Sequence, residues 1–143
     1  MSSRHVPTIL AFGTFDLLHP GHRYFLRQAK QLGKELVVVV ARDKNVLRLK
    51  GYLPEQNERT RLRAVRRLQF VTRATLGQRE FNHRYTLVRK LKPDIIVLGY
   101  DQSTRAQSFA RDLGHLGLKP KLVRIRAFHP ERYKSSLLRR ALH

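Results

Sequence analysis

The stretch GTFDLLHPGH, residues 13–22, sets His19 and His22 either side of a Pro-Gly pair. Imidazoles this close can ligate a metal, contact a phosphate, or serve a loop and a helix cap. Pro20 suits a first helical turn, and Gly21 lets a ligand approach the backbone. Helix N-termini attract anions through unsatisfied N–H groups and the helix dipole. Two histidines beside such a terminus suit phosphate oxygens whose charge changes during a transfer. Zinc fits less well, because the pair lacks the i, i+4 spacing of a helical ligand pair and no third ligand is evident. Asp16, between the glycine turn and the histidines, has two readings: an orienter of magnesium or a substrate hydroxyl, and a turn or cap acceptor.

These residues need a scaffold, and the chain supplies an alternating one. TILAF reads as a strand and is followed by the histidine stretch. A helix is expected from Pro20 to Leu32, burying Phe25, Leu26, Ala29 and Leu32, with Gly33 as its stop signal. ELVVVVA is apolar on both faces, as a central parallel strand requires. The basic stretch RDKNVLRLKGYLPEQN is expected to be irregular. A helix over 58–68 follows, carrying Leu62, Val65 and Leu68 on one face. FVTRA and KPDIIVLG read as the third and fourth strands, with Phe81, Tyr85 and Val88 at helical spacing between them. A helix over 103–113, a strand at KLVRI and a short helix from Ser135 complete the pattern. The expected fold is α/β, a Rossmann-like open five-stranded parallel sheet with helices on both faces, in one domain spanning 1–143. Such sheets bind ligands beyond the carboxyl ends of their strands. Gly13 and Thr14 fall there, as do Asp101 and Gln102. Ser135 and Ser136 open the last helix, where hydroxyls and N–H groups can hold phosphate, cap the helix, or do both.

Composition narrows the chemistry further. The absence of cysteine excludes disulfides, thiol nucleophiles and thiolate metal sites. No apolar run approaches a membrane span, and MSSRHVPTIL lacks the apolar core of an export signal, so a cytoplasmic protein away from membranes is expected. Thirty Lys and Arg against ten Asp and Glu give a formal charge of +20, which favours anionic substrates or polyanionic partners. Nucleic acid is one such partner. It is not the favoured one, because no RNP-type aromatic strand, zinc finger or GXXG loop accompanies the charge.

GTFDLLHPGH resembles the H-x-G-H signature of the cytidylyltransferase-like nucleotidyltransferases. VVVARDKNVLRLKG, KPDIIVLGYDQ and RYKSSLLRRAL are similar to that family's later blocks, in the same order. Archaeal-type FAD synthases are the nearest branch in these blocks. Glycerol-3-phosphate cytidylyltransferases come next, but RAFHPERYKSS differs from their R-T-E-G-I-S-T type segment. The resemblance implies transfer of a nucleotidyl group from ATP or CTP to a phosphorylated acceptor, FMN in the first branch, with Mg²⁺ and release of pyrophosphate. It assigns His19 and His22 to the α-phosphate, and Lys50 (or Arg48) with Arg61 (or Arg59) to the triphosphate. Gly13, Thr14, Phe15, Gly21, Asp101, Gln102, Ser135 and Ser136 are implied to bind nucleotide, with Lys134 and Arg132 adding positive charge near the serines. A homodimer would fit the resemblance. Thr72 stands where relatives often have an acid, and Lys134 where they often have an apolar residue.

Overall fold

A computed structural model describes residues 7–80, 83, 85–98 and 106–125 of the chain. Its elements run β1 (Thr8–Gly13), α1 (Pro20–Lys30), β2 (Glu35–Val40), α2 (Asp43–Lys50), α3 (Glu58–Arg66), β3 (Arg73–Leu76), α4 (Thr86–Leu91), β4 (Ile95–Leu98), α5 (Ala106–His115) and β5 (Lys121–Arg124). The strands form one parallel sheet in the order β3-β2-β1-β4-β5. This is the expected Rossmann-like arrangement.

Alternation along each strand builds the two faces. Ile9, Ala11, Leu36, Val38, Val40 and Val97 point to one side, where they pack with Leu26 and Ala29 of α1 and Leu62 and Val65 of α3. Leu10, Val37, Val39, Ile96 and Leu98 point to the other, where Val88 of α4 and Leu113 of α5 cover them. Burial on both faces explains why ELVVVV carries no polar alternation. Sequence order reverses between β1 and β4, so the crevice beyond their carboxyl ends is where such a sheet receives ligands.

Several local expectations shift. The stretch after β2 is not irregular throughout, because residues 43–50 form α2. Asp43 in its first turn and Arg48 and Lys50 in its last complement the helix dipole, and Gly51 closes it at φ 83°. Helix α1 ends at Lys30, two residues short of the expected limit, and Leu32 lies beyond it, exposed. Gly33 is required for space rather than as a stop: a Cβ there would lie 2.3 Å from Ile9 Cδ1 and 2.9 Å from the Pro7 carbonyl. The third strand is Arg73–Leu76 rather than 70–74. Phe70 and Val71 pack on the core before the strand starts, and Thr72 engages Leu36 with both its backbone N–H and its hydroxyl. Helix α3 stops at Arg66, before Leu68, and α4 starts only at Thr86. Phe81 and the segment from Ser135 lie outside the described residues.

Candidate active site

The carboxyl end of β1 turns sharply. Phe15 and Leu17 adopt φ of 55° and 52°, the left-handed region that costs a residue with a Cβ about 1 kcal/mol or more. The turn folds the buried Phe15 ring back over Gly13, where an added Cβ would sit 2.6 Å from Phe15 Cζ. Only glycine tolerates that approach.

Residues far along the chain hold this conformation. Asp16 is buried; its two carboxylate oxygens accept the backbone N–H groups of Glu55 (2.8 Å) and Gln56 (2.9 Å). The Gln56 side-chain carbonyl in turn accepts the Leu17 N–H at 3.1 Å. Arg61 is fully buried in α3. Its Nη1 donates to the Thr14 carbonyl at 2.8 Å, its Nε to the Gln56 carbonyl at 2.9 Å and its Nη2 to Asp43 at 2.6 Å. Asp43 and Glu58 exchange bonds between side chains and backbone N–H groups, which joins the first turns of α2 and α3. Arg42 extends the knot from Glu58 to the Gly77 carbonyl at the end of β3.

The histidines sit on this rigid turn. His19 is the N-cap of α1, and its Nδ1 accepts the Gly21 N–H at 3.1 Å. That bond fixes the tautomer: a neutral His19 carries its proton on Nε2, as a donor. The His22 ring stacks on His19 with centroids 3.7 Å apart, and the Phe15 ring meets His22 edge-on at 5.6 Å. Burial lowers the His19 pKa to about 4. For His22 burial, then repulsion from His19 and Lys50, lowers it to about 3. Both imidazoles are therefore neutral near pH 7. Helix α1 has no acidic residue in its first turn, so its N-terminal dipole keeps its attraction for an anion.

Of the residues singled out from sequence, Gly13, Thr14, Phe15, Asp16, His19, Gly21 and His22 belong to this one turn and the start of α1. Lys50 ends α2 as an exposed cation whose charge acts on His22. Arg48 and Arg59 are also exposed. Arg61 lies behind the turn and grips it. Asp101, Gln102, Arg132, Lys134, Ser135 and Ser136 lie outside the described residues. Sequence reasoning did not single out Arg42, Asp43, Gln56 or Glu58. The signal for Asp43 was present, since a carboxylate three residues beyond a central strand sits at the ligand end of the sheet. Among the described residues no three His, Asp or Glu side chains converge as a metal cage.

A neutral imidazole pair at a helix N-terminus, His19 buried and His22 partly so, beyond the central strand of a parallel sheet, suits a phosphate whose charge changes. Residues 10–141 match the family model described as Cytidylyltransferase-like. The chain belongs to this family. It is 47% identical over 120 residues to an FAD synthase of Aciduliprofundum boonei, covering 84% of this chain and 78% of that one. It is 41% identical over 134 residues to an FAD synthase of Thermoplasma acidophilum, covering 94% and 92%. The crystal structure of a lipopolysaccharide core biosynthesis protein from Thermoplasma volcanium superimposes with a TM-score of 0.79 at 40% identity, over 87% of this chain and 99% of that one. The protein is a nucleotidyltransferase enzyme of the FAD synthase-like kind, with a nucleotide as substrate. Among the described residues no helix is long and apolar enough to cross a membrane.

Proposed function

We propose that this nucleotidyltransferase joins the AMP moiety of ATP to FMN, releasing pyrophosphate and forming FAD. A phosphate oxygen of FMN attacks the α-phosphorus of ATP in line. The bond from that phosphorus to the bridging oxygen breaks, and the electron pair leaves with pyrophosphate. The attacking phosphate is already an anion, so the enzyme needs neither a general base nor a nucleophile of its own. Its contribution is position and charge stabilisation.

The observation that carries this reading is the neutral His19–His22 stack at the start of α1. In this reading the Nε2–H of His19 donates to the α-phosphate, and His22 contacts the same group. The backbone of Gly13, Thr14, Phe15 and Gly21 receives the nucleotide, and Lys50, with Arg48 beside it, takes the β- and γ-phosphates. Asp101, Gln102, Ser135 and Ser136 complete the nucleotide site. Arg61 and Asp16 act as positioning residues: their hydrogen bonds already hold the turn. The Asp16 and Asp43 carboxylates likewise accept protein donors and do not fit a cation cage, so Mg²⁺ arrives on the triphosphate as part of the substrate. One catalytic domain spans residues 1–143, the enzyme works in the cytoplasm, and a homodimer is the assembly this reading favours.

Pyrophosphate release tests the proposal. ATP and CTP are each offered with FMN, glycerol 3-phosphate and phosphopantetheine under Mg²⁺. Release with ATP and FMN alone supports it. Release with CTP and glycerol 3-phosphate instead moves the enzyme to the cytidylyltransferase branch. Silence in every pair, with strongly salt-dependent RNA binding, would leave the basic-module reading.

A further inference from the structure

The segment joining α2 to α3 exposes two large apolar side chains, Tyr52 at 43% and Leu53 at 56%. In so polar a chain that is unusual: only six large hydrophobic residues are prominently exposed among the described residues, and four of them, Leu47, Leu49, Tyr52 and Leu53, fall within seven positions. Leu47 and Leu49 are two apart on α2, so they point in different directions and cannot both border the segment. Tyr52 and Leu53 are its centre.

The segment is anchored at its C-terminal end to the turn that carries the histidines. On the N-terminal side, Lys50 acts electrostatically on His22. On the C-terminal side, Glu55 and Gln56 bond to Asp16, and Gln56 also bonds to Leu17. An exposed aromatic and an exposed aliphatic side chain therefore lie in the short stretch between Lys50 and the residues that bond to Asp16 and Leu17 in the histidine turn. A ligand matching this neighbourhood has an anionic phosphate at one end and a flat apolar body at the other. Glycerol phosphate has no such body.

We propose that Tyr52 and Leu53 receive the isoalloxazine ring of the acceptor flavin and set the enzyme's choice of acceptor. This rests on the FAD synthase reading and names the residues that would select for it. Tyr52 stacks on the ring and Leu53 borders it, while the phosphate end is held by the histidine turn.

The test uses the full chain and FMN itself. Binding is followed by flavin fluorescence, which a stacked tyrosine quenches, and turnover by pyrophosphate release. Tyr52→Ala is expected to weaken FMN binding and raise the KM for FMN about tenfold, as loss of an aromatic stack does, with the KM for ATP within twofold. Tyr52→Phe should restore both binding and quenching. Leu53→Ser should weaken FMN several-fold without changing the quench of the bound form. Unchanged FMN binding in Tyr52→Ala, or equal losses for ATP and FMN, overturns the proposal. So does a dimer that falls apart in Tyr52→Ala and Leu53→Ser, since the patch is then an interface between copies. The two readings fail differently. If the wild-type enzyme neither binds FMN nor releases pyrophosphate with it, the flavin reading itself fails; if it does both and Tyr52→Ala matches it, only the assignment of this segment fails.

Discussion

Two pairs, each with one fully or nearly buried member, lie within reach of one turn and do opposite things. Arg61 and Asp43 are charged and 2.6 Å apart, and the guanidinium also holds the Thr14 and Gln56 carbonyls. His19 and His22 are stacked 3.7 Å apart and stay uncharged. A charge is buried only when partners replace its water, so a buried arginine is committed to the fold. Neutral imidazoles are cheaper to bury, and the His19 tautomer retains a polar N–H for chemistry. Burial alone therefore does not separate girder from reagent; the charge state of the buried group does.

The largest expected effect tests the girder. Arg61→Met leaves Asp43 without its ion-pair partner, though still bonded to the Glu58 N–H, and the Thr14 carbonyl without its guanidinium donor, which should cost about 3 kcal/mol. The estimate stays at the low end because the Asp43 side chain is 29% exposed. Thermal melting should fall by roughly 10 °C. Arg61→Lys keeps the charge but loses the planar fork, so melting should drop while the KM for ATP barely moves. A raised KM for ATP at an unchanged melting temperature would instead place Arg61 on the triphosphate and end the contrast.

The reagent pair predicts the reverse pattern. His19→Ala and His22→Ala should each slow turnover by about a hundredfold, the scale of one lost contact to a developing charge. Circular dichroism should remain that of the folded protein. Near-normal turnover in both variants would falsify the assignment of the pair. Between the two extremes lies Asp16→Asn. An amide can accept one of the two backbone N–H groups but turns its own N–H toward the other, so a loss of about 1–3 kcal/mol is expected in urea melts. Turnover should fall with it, because the histidine turn loosens.

Acid supplies the most graded test. The unfolded chain protonates each imidazole near pH 6.5, whereas the folded chain resists until about 4 for His19 and about 3 for His22. The unfolded state then binds more protons below pH 6.5. Stability from these groups is complete above that value and is lost as pH falls toward the folded pKa values. The slope is at most about 1.4 kcal/mol per pH unit for each ring. Urea melts at pH 7, 5.5 and 4.5 should show it, and the double alanine variant should flatten it.

Sequence and structure part company at informative places. The parallel sheet was legible because ELVVVV can only be a strand buried on both faces, and the histidine turn because glycine, proline and imidazoles coincide at a strand end. Helix α2 was not, because just one of its residues, Val46, is buried, and a helix with so narrow an apolar face leaves little periodic signal. Its start is stabilised by Glu58, fifteen residues away. Arg61 shows the same limit. A basic residue in a basic helix looks solvated, and only the fold reveals that its head reaches Asp43, Thr14 and Gln56 at once.

The Nδ1 bond from His19 to Gly21 also links ligand and helix. An acceptor placed on the Nε2–H polarises the imidazole and makes Nδ1 a stronger base toward the Gly21 N–H. Occupancy of the turn thereby tightens the first coil of α1, and the protection of a single amide becomes a gauge of how firmly the substrate is held.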